Sequence, residues 1–162
     1  MSEGTPKATA CKPRPEDVES PDAIIKAMYD TLSGPAGDRN WRRERSLFME
    51  GALLVPIGKR IHRESEFQVM SLDEWIDDAR EFLAENDFYE SEVMRKSFRF
   101  GDMVAAFSTY EARHKPDEAP IARGINSIQL VFNEGRWWIL SVMWDNETKE
   151  NPVPGEFLPY LW

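Results

Sequence analysis

The chain has 162 residues, with 20 Lys+Arg against 29 Asp+Glu and a formal net charge of −9. That length suits one domain able to bury about two-thirds of its unfolded surface. A hydrophobic content of 41% excludes a disordered chain. The acid excess opposes phosphate backbones and anionic lipid, so neither nucleic acid nor a membrane is an expected partner. The longest apolar runs fall far short of the roughly 20 residues of a spanning helix. A single cysteine, Cys11, excludes an internal disulfide and a cysteine zinc site.

Residues 1–17 mix proline, charge and small side chains without an apolar period or a secretory hydrophobic core. They read as a flexible tail of a cytoplasmic protein. The domain is expected over 18–147. Ser20-Pro21-Asp22 is an N-cap followed by proline at the first helical position, and Ile24, Ile25, Met28, Tyr29 and Leu32 form one helical stripe. Ser33-Gly34-Pro35 ends that helix. A second helix is expected from about Asp38, carrying Trp41, Leu47 and Phe48, then a short strand at 52–55. Phe67-Gln68-Val69 predicts another short strand. Ser71 and Glu74 form a capping box for a third helix, with Trp75, Ile76, Ala79, Phe82 and Leu83 as its buried stripe and Asp73, Asp77, Asp78 and Glu81 facing water.

After Asn86 the apolar period changes from 3.6 to 2, predicting four long strands at 88–100, 103–114, 121–133 and 136–144. Gly101-Asp102 and Glu134-Gly135 supply two-residue hairpins, so these pairs are antiparallel. Residues 148–162 carry three prolines and several large apolar side chains, expected as an extended tail laid on the domain.

Pairing outward from the two hairpins sorts the side chains by face. Val104, Ala106, Ser108, Tyr110 and Ala112 share the inner face with Ile128, Leu130, Trp137 and Ile139. An uninterrupted register gathers Arg95, Ser108, Tyr110, Asn126, Ser141 and Met143 at one end as a polar mouth over an apolar floor. The other face collects Phe98, Phe107, Val131, Trp138, Leu140, Val142 and Trp144. That face is too apolar for open water and predicts a homodimer through the sheet.

Helices first, then four long antiparallel strands, with FYESEV at 88–93, FGDMVAAFSTYEARH at 100–114 and RGINSIQLVFNEGRWWILSVMWDNE at 123–147: this pattern resembles the nuclear transport factor 2-like superfamily, near its polyketide-cyclase-like (SnoaL-like) branch. The resemblance implies an α+β fold, a cone-shaped, curved, mostly antiparallel sheet with the three helices of the N-terminal half on its concave face. It does not imply one reaction, because the superfamily holds isomerases, dehydratases, cyclases and non-catalytic binding proteins.

Within that fold the expected ligand is a small apolar organic molecule, contacted by Arg95, Ser108, Tyr110, Asn126, Ser141 and Met143. Proton-transfer chemistry without a cofactor would use Tyr110 as donor and His62 or His114 as base. No Asp or Glu falls clearly on the inner face, although Glu90 and Asp145 stand near strand ends. An inward Arg95 needs an anion, Glu90 or a ligand carboxylate. Two histidines without ligand spacing provide no metal site. The alternative is a non-catalytic interaction module whose cavity its own side chains fill.

Overall fold

A computed structural model describes residues 11–58 and 67–159. Four helices and six strands follow in the order α1 (Pro15–Val18), α2 (Pro21–Leu32), α3 (Trp41–Leu47), β1 (Phe48–Ile57), β2 (Met70–Ser71), α4 (Leu72–Glu85), β3 (Tyr89–Phe100), β4 (Met103–Arg113), β5 (Ala122–Asn133) and β6 (Arg136–Asn146). The strands form one curved, unclosed sheet in the order β2-β1-β6-β5-β4-β3, antiparallel throughout except where β1 runs parallel to β6. Helix α2 lays Ile24, Ile25, Met28 and Tyr29 on the inner face, against Val104, Ala106, Ile128, Leu130 and Ile139, all buried. None of the described helices is long and apolar enough to cross a membrane.

Local chemistry sets the boundaries. Ser20 accepts from the amide of Ala23 at 3.0 Å, and Ser71 with Glu74 closes the capping box. Asn40, not Asp38, caps α3 by accepting from the Arg43 amide, while Asp38 accepts from the indole of Trp41 at 2.7 Å. Gly101 with φ 56° makes the first tight hairpin, and Glu134 and Gly135, at φ 52° and 78°, make the second. The short strand expected at 67–69 lies instead at Met70–Ser71, and β1 extends well beyond 52–55.

Order also begins before Ser20. Val18 is buried in the main core, and Asp17 accepts from Nε and Nη2 of Arg43 at 2.8 and 2.9 Å. That two-pronged pair ties α1 to α3 and draws the Asp17 carboxyl below its usual range. The tail expected over 1–17 is therefore docked from Pro15 onward, and residues 1–10 lie outside the described chain.

Two β-bulges revise the faces assigned from uninterrupted pairing. Arg95 opposes Ser108 as expected, but Glu92, not Val93, opposes Tyr110, so Val93 is an extra residue in β3. In β6 Ile139 opposes Leu130 while Ser141 opposes Gln129, so Leu140 is the extra residue. Each insertion reverses the alternation beyond it. Glu90 and Glu92 turn inward, as do Val142, Trp144 and Asn146, while Ser141 and Met143 turn outward.

The opposite face of the sheet is partly covered by the chain's own C-terminal segment. Thr109 donates to the carbonyl of Phe157 at 2.6 Å, Lys96 pairs with Glu156 at 3.1 Å, and the rings of Phe107 and Phe157 lie 5.6 Å apart. Val153 donates its amide to Glu147 at 2.6 Å, pinning the start of this strap. Beyond it, Phe98 and Phe100 remain 78% and 82% exposed.

One buried carboxyl lies in the core away from the sheet. Glu44 of α3 is 1% exposed, and its Oε1 has no hydrogen-bond partner among the described residues. Its Oε2 meets the hydroxyl of Thr31, which also bonds the carbonyl of Met28 at 2.9 Å. The Thr31 hydroxyl donates to Oε2, which favours the charged carboxyl. Burial pushes its pKa to about 8, against partial relief from Thr31 and Arg43, and the nearby Glu90 adds to the rise.

Candidate active site

Between the inner face of the sheet and helices α2 and α4 lies a cavity of about 130 Å³. Met28, Leu54, Trp75, Phe82, Phe88, Val142 and Trp144 make its walls apolar, and Glu90, Tyr110, Asn126 and Asn146 supply polar groups, with Asp78 also on the lining. The stripe of α4 supplies its share of this: Trp75, Ala79, Phe82 and Leu83 line the cavity, and Ile76 is fully buried. Asp78, expected to face water, is drawn to the cavity by the same helical turn.

Tyr110 reaches across β5 to β6. Its hydroxyl lies 2.6 Å from Oδ1 of Asn146 and 3.3 Å from the carbonyl of Asp145. It can do so because Gly124 lies between: a Cβ there would stand 2.3 Å from the Tyr110 hydroxyl and 2.2 Å from the Asp145 carbonyl. Desolvation, with Glu90 and Tyr29 nearby, raises the Tyr110 pKa, so the phenol keeps its proton at neutral pH.

Glu90 is the carboxylate on this wall. The residue keeps some accessible surface because it lines the cavity, yet its carboxyl is surrounded by protein. Burial raises its pKa to about 7, and the amide of Asn126, donating to it, limits the rise. Asn126 also donates to the hydroxyl of Tyr29 at 3.0 Å, and that hydroxyl lies 2.6 Å from Oγ of Ser108.

Of the residues expected at the polar mouth, the structure brings Tyr110 and Asn126 to the cavity. Ser108 is fully buried behind it, bonded to Tyr29 and Glu92. Arg95 faces inward but is held by Glu92, at 2.8 to 3.1 Å, and by Asp22. The Val93 bulge puts residues 92 and 95 on one face, so Glu92 and not Glu90 is the anion that Arg95 needs. Ser141 and Met143 lie on the outer face for the reason given above, and Met143 is 43% exposed. His114 is exposed at the end of β4 beside the carbonyl of Asp87, 3.3 Å away, and does not line the cavity. His62 lies outside the described residues. Glu90 is the cavity carboxyl that pairing from the hairpins missed. Among the described residues no cluster of three His, Cys, Asp or Glu side chains is placed to hold a metal.

No protein-family model matches the chain, and no curated protein matches it. Solved structures do. An NTF2-like protein of unknown function from Silicibacter pomeroyi DSS-3 has a TM-score of 0.52 at 23% identity, covering 78% of this chain and 92% of its own. One from Pseudomonas putida KT2440 has a TM-score of 0.61 at 8% identity, covering 85% and 93%. A protein of Shewanella frigidimarina NCIMB 400, proposed to be a ketosteroid isomerase, has a TM-score of 0.52 at 16% identity, covering 75% and 91%. At these identities the likeness establishes the fold: the chain has the nuclear transport factor 2-like, cystatin-like architecture.

Proposed function

We propose that the protein binds a small, largely apolar organic molecule in the cone cavity and moves a proton on it without a cofactor, with Glu90 as base. The observation that carries this reading is the Glu90 carboxyl, set among apolar walls beside Tyr110 and Asn126 with its pKa near neutrality. A base works best when it titrates near the working pH. Ionised Glu90 would take a proton from a carbon next to a carbonyl. The electron pair left behind would move onto the carbonyl oxygen, and the still-protonated Tyr110 would donate a hydrogen bond to it. Where a carbon–carbon double bond lies one carbon further on, returning the proton to its far carbon shifts that bond into conjugation with the carbonyl and completes an isomerisation. The proposed isomerase of Shewanella frigidimarina, which shares the fold, is in keeping with this class.

The cavity, about 130 Å³, is smaller than the several hundred Å³ of a drug-sized pocket. It is close to the roughly 150 Å³ of an apolar cavity that accepts benzene. The proposed substrate is therefore about one ring in size. Arg95, Ser108, Ser141 and Met143 have no part in this reading, nor has His114.

The test is hydrogen–deuterium exchange at carbon, followed by proton NMR on a panel of small cyclic ketones in heavy water. Wild type should accelerate exchange next to the carbonyl, with a rate rising through pH 7, and Glu90→Gln should not. Equal rates for wild type, Glu90→Gln and buffer across the panel would overturn the base.

The alternative, a non-catalytic interaction module, is favoured by the exposed Phe98 and Phe100 on the outer face. The two readings share one expectation, a cytoplasmic homodimer through that face. A monomer in sedimentation at micromolar concentration would remove the dimer from both.

A further inference from the structure

We propose that Glu92, on the outermost strand of the sheet, fixes the orientation of the Asn126 amide in the cavity through Ser108 and Tyr29. Tyr29, Ser108 and Glu92 are thus positioning residues for Glu90. The inference rests on the reading of Glu90 as the base, and it follows from counting protons along one chain of hydrogen bonds.

The chain starts at an acceptor whose role is fixed by charge. Glu92 is clamped by Nε and Nη2 of Arg95, which also meets Asp22. In its contact with Glu92 the Ser108 hydroxyl donates. Ser108 then has no proton left for Tyr29, 2.6 Å away, and the phenol must donate to it. Tyr29 in turn can only accept from Asn126, so the amide must turn its NH2 group to Tyr29 at 3.0 Å. Glu90 lines the same cavity as Asn126, whose amide lowers the Glu90 pKa. Every bond points one way, from the cavity to the strand edge.

Consequences follow for Glu90. A protonated Glu90 would be best served by an acceptor, the Asn126 carbonyl oxygen. Turning the amide over would set that oxygen against the Tyr29 oxygen, whose proton is committed to Ser108. The turned amide is thus excluded, and Asn126 supports the ionised base alone. The titratable groups around Glu90 are Tyr29 from α2, Glu44 from α3, Asp78 from α4 and Tyr110 from β4. Burial keeps both tyrosines protonated at neutral pH.

Tyr29→Phe removes the obstacle to turning the amide, and Ser108→Ala frees the Tyr29 proton to meet a turned amide. Either change should let Asn126 stabilise protonated Glu90. Its titration midpoint should rise by about half a unit to one unit, the equivalent of one neutral hydrogen bond exchanged. The experiment is carbon-13 NMR of glutamate carboxyls against pH in wild type, Tyr29→Phe and Ser108→Ala, with Glu90→Gln assigning the resonance. A higher midpoint in both variants is the expected result. Unchanged or lowered midpoints overturn the relay, and Tyr29→Phe alone suffices if Ser108→Ala does not fold. The relay is read from the difference between variant and wild type. The base is read from the wild-type midpoint itself, where a value near 4 to 5 would sink that reading and leave the difference still decisive for the relay.

Discussion

Glu44→Gln should stabilise the protein, by an amount that grows with pH. Glu44 is fully buried, and its pKa rises from 4.5 in the unfolded chain to about 8 in the folded one. The folded state therefore holds more protons than the unfolded state between these values, and stability falls as pH rises through that window. At about 1.4 kcal/mol per pH unit, this one group removes roughly 2 to 3 kcal/mol between pH 5.5 and 7.5. Glutamine matches the shape of the protonated acid and its amide oxygen can accept from Thr31 as the carboxyl does, yet it never carries a charge. Urea unfolding at pH 5.5, 6.5 and 7.5 measures the effect. Glu90, shifted in the same direction, contributes a slope of the same sign to both proteins, so the difference between them isolates Glu44. The variant should gain about 2 kcal/mol on wild type across that range. Parallel stability curves would refute the raised Glu44 pKa.

Gly124→Ala should cost roughly 2 kcal/mol or more by overpacking, because the new methyl group must displace the Tyr110 hydroxyl or the Asp145 carbonyl. Thermal unfolding would show it, and an unchanged midpoint would count against the close approach. Tyr110→Phe should fold nearly as well as wild type but slow carbon-bound exchange at least tenfold, and an undiminished rate would remove Tyr110 from the proposed chemistry. Asp17→Asn should lose about 2 kcal/mol at neutral pH, since it breaks a largely buried two-pronged pair with Arg43. Its sign with pH is opposite to that of Glu44: the depressed carboxyl contributes fully above the ordinary acid range, and the contribution fades as pH falls below it. Equal stability of the two proteins at pH 7 would contradict this.

Much of the fold was legible because its signals are local. The Ser20 and Ser71 caps, the stripe of α2 and the two tight turns each fix an element from a few neighbouring residues. The inner set from Val104 to Ala112 was equally readable, since β4 carries no insertion and all five residues are buried. Half of the site was not legible. A bulge leaves no mark in the alternation of β3, where Glu90, Glu92 and Arg95 are all polar and either parity reads equally well. In β6 the run from Trp137 to Trp144 is apolar on both faces, so the extra Leu140 is equally hidden. The pairing partner decides these registers, and only the assembled sheet shows that Glu90 turns inward while Ser141 and Met143 turn away.

The strap across the outer face behaves as a tethered competitor. Because Phe157 and Val153 are joined to the sheet they cover, they meet it at an effective concentration on the order of millimolar, whatever the protein concentration. An outside chain seeking the surface around Phe107 must displace a segment that never diffuses away. Association through this sheet would therefore start on the strap-free side, at Phe98 and Phe100, where no tethered rival has to be lifted first.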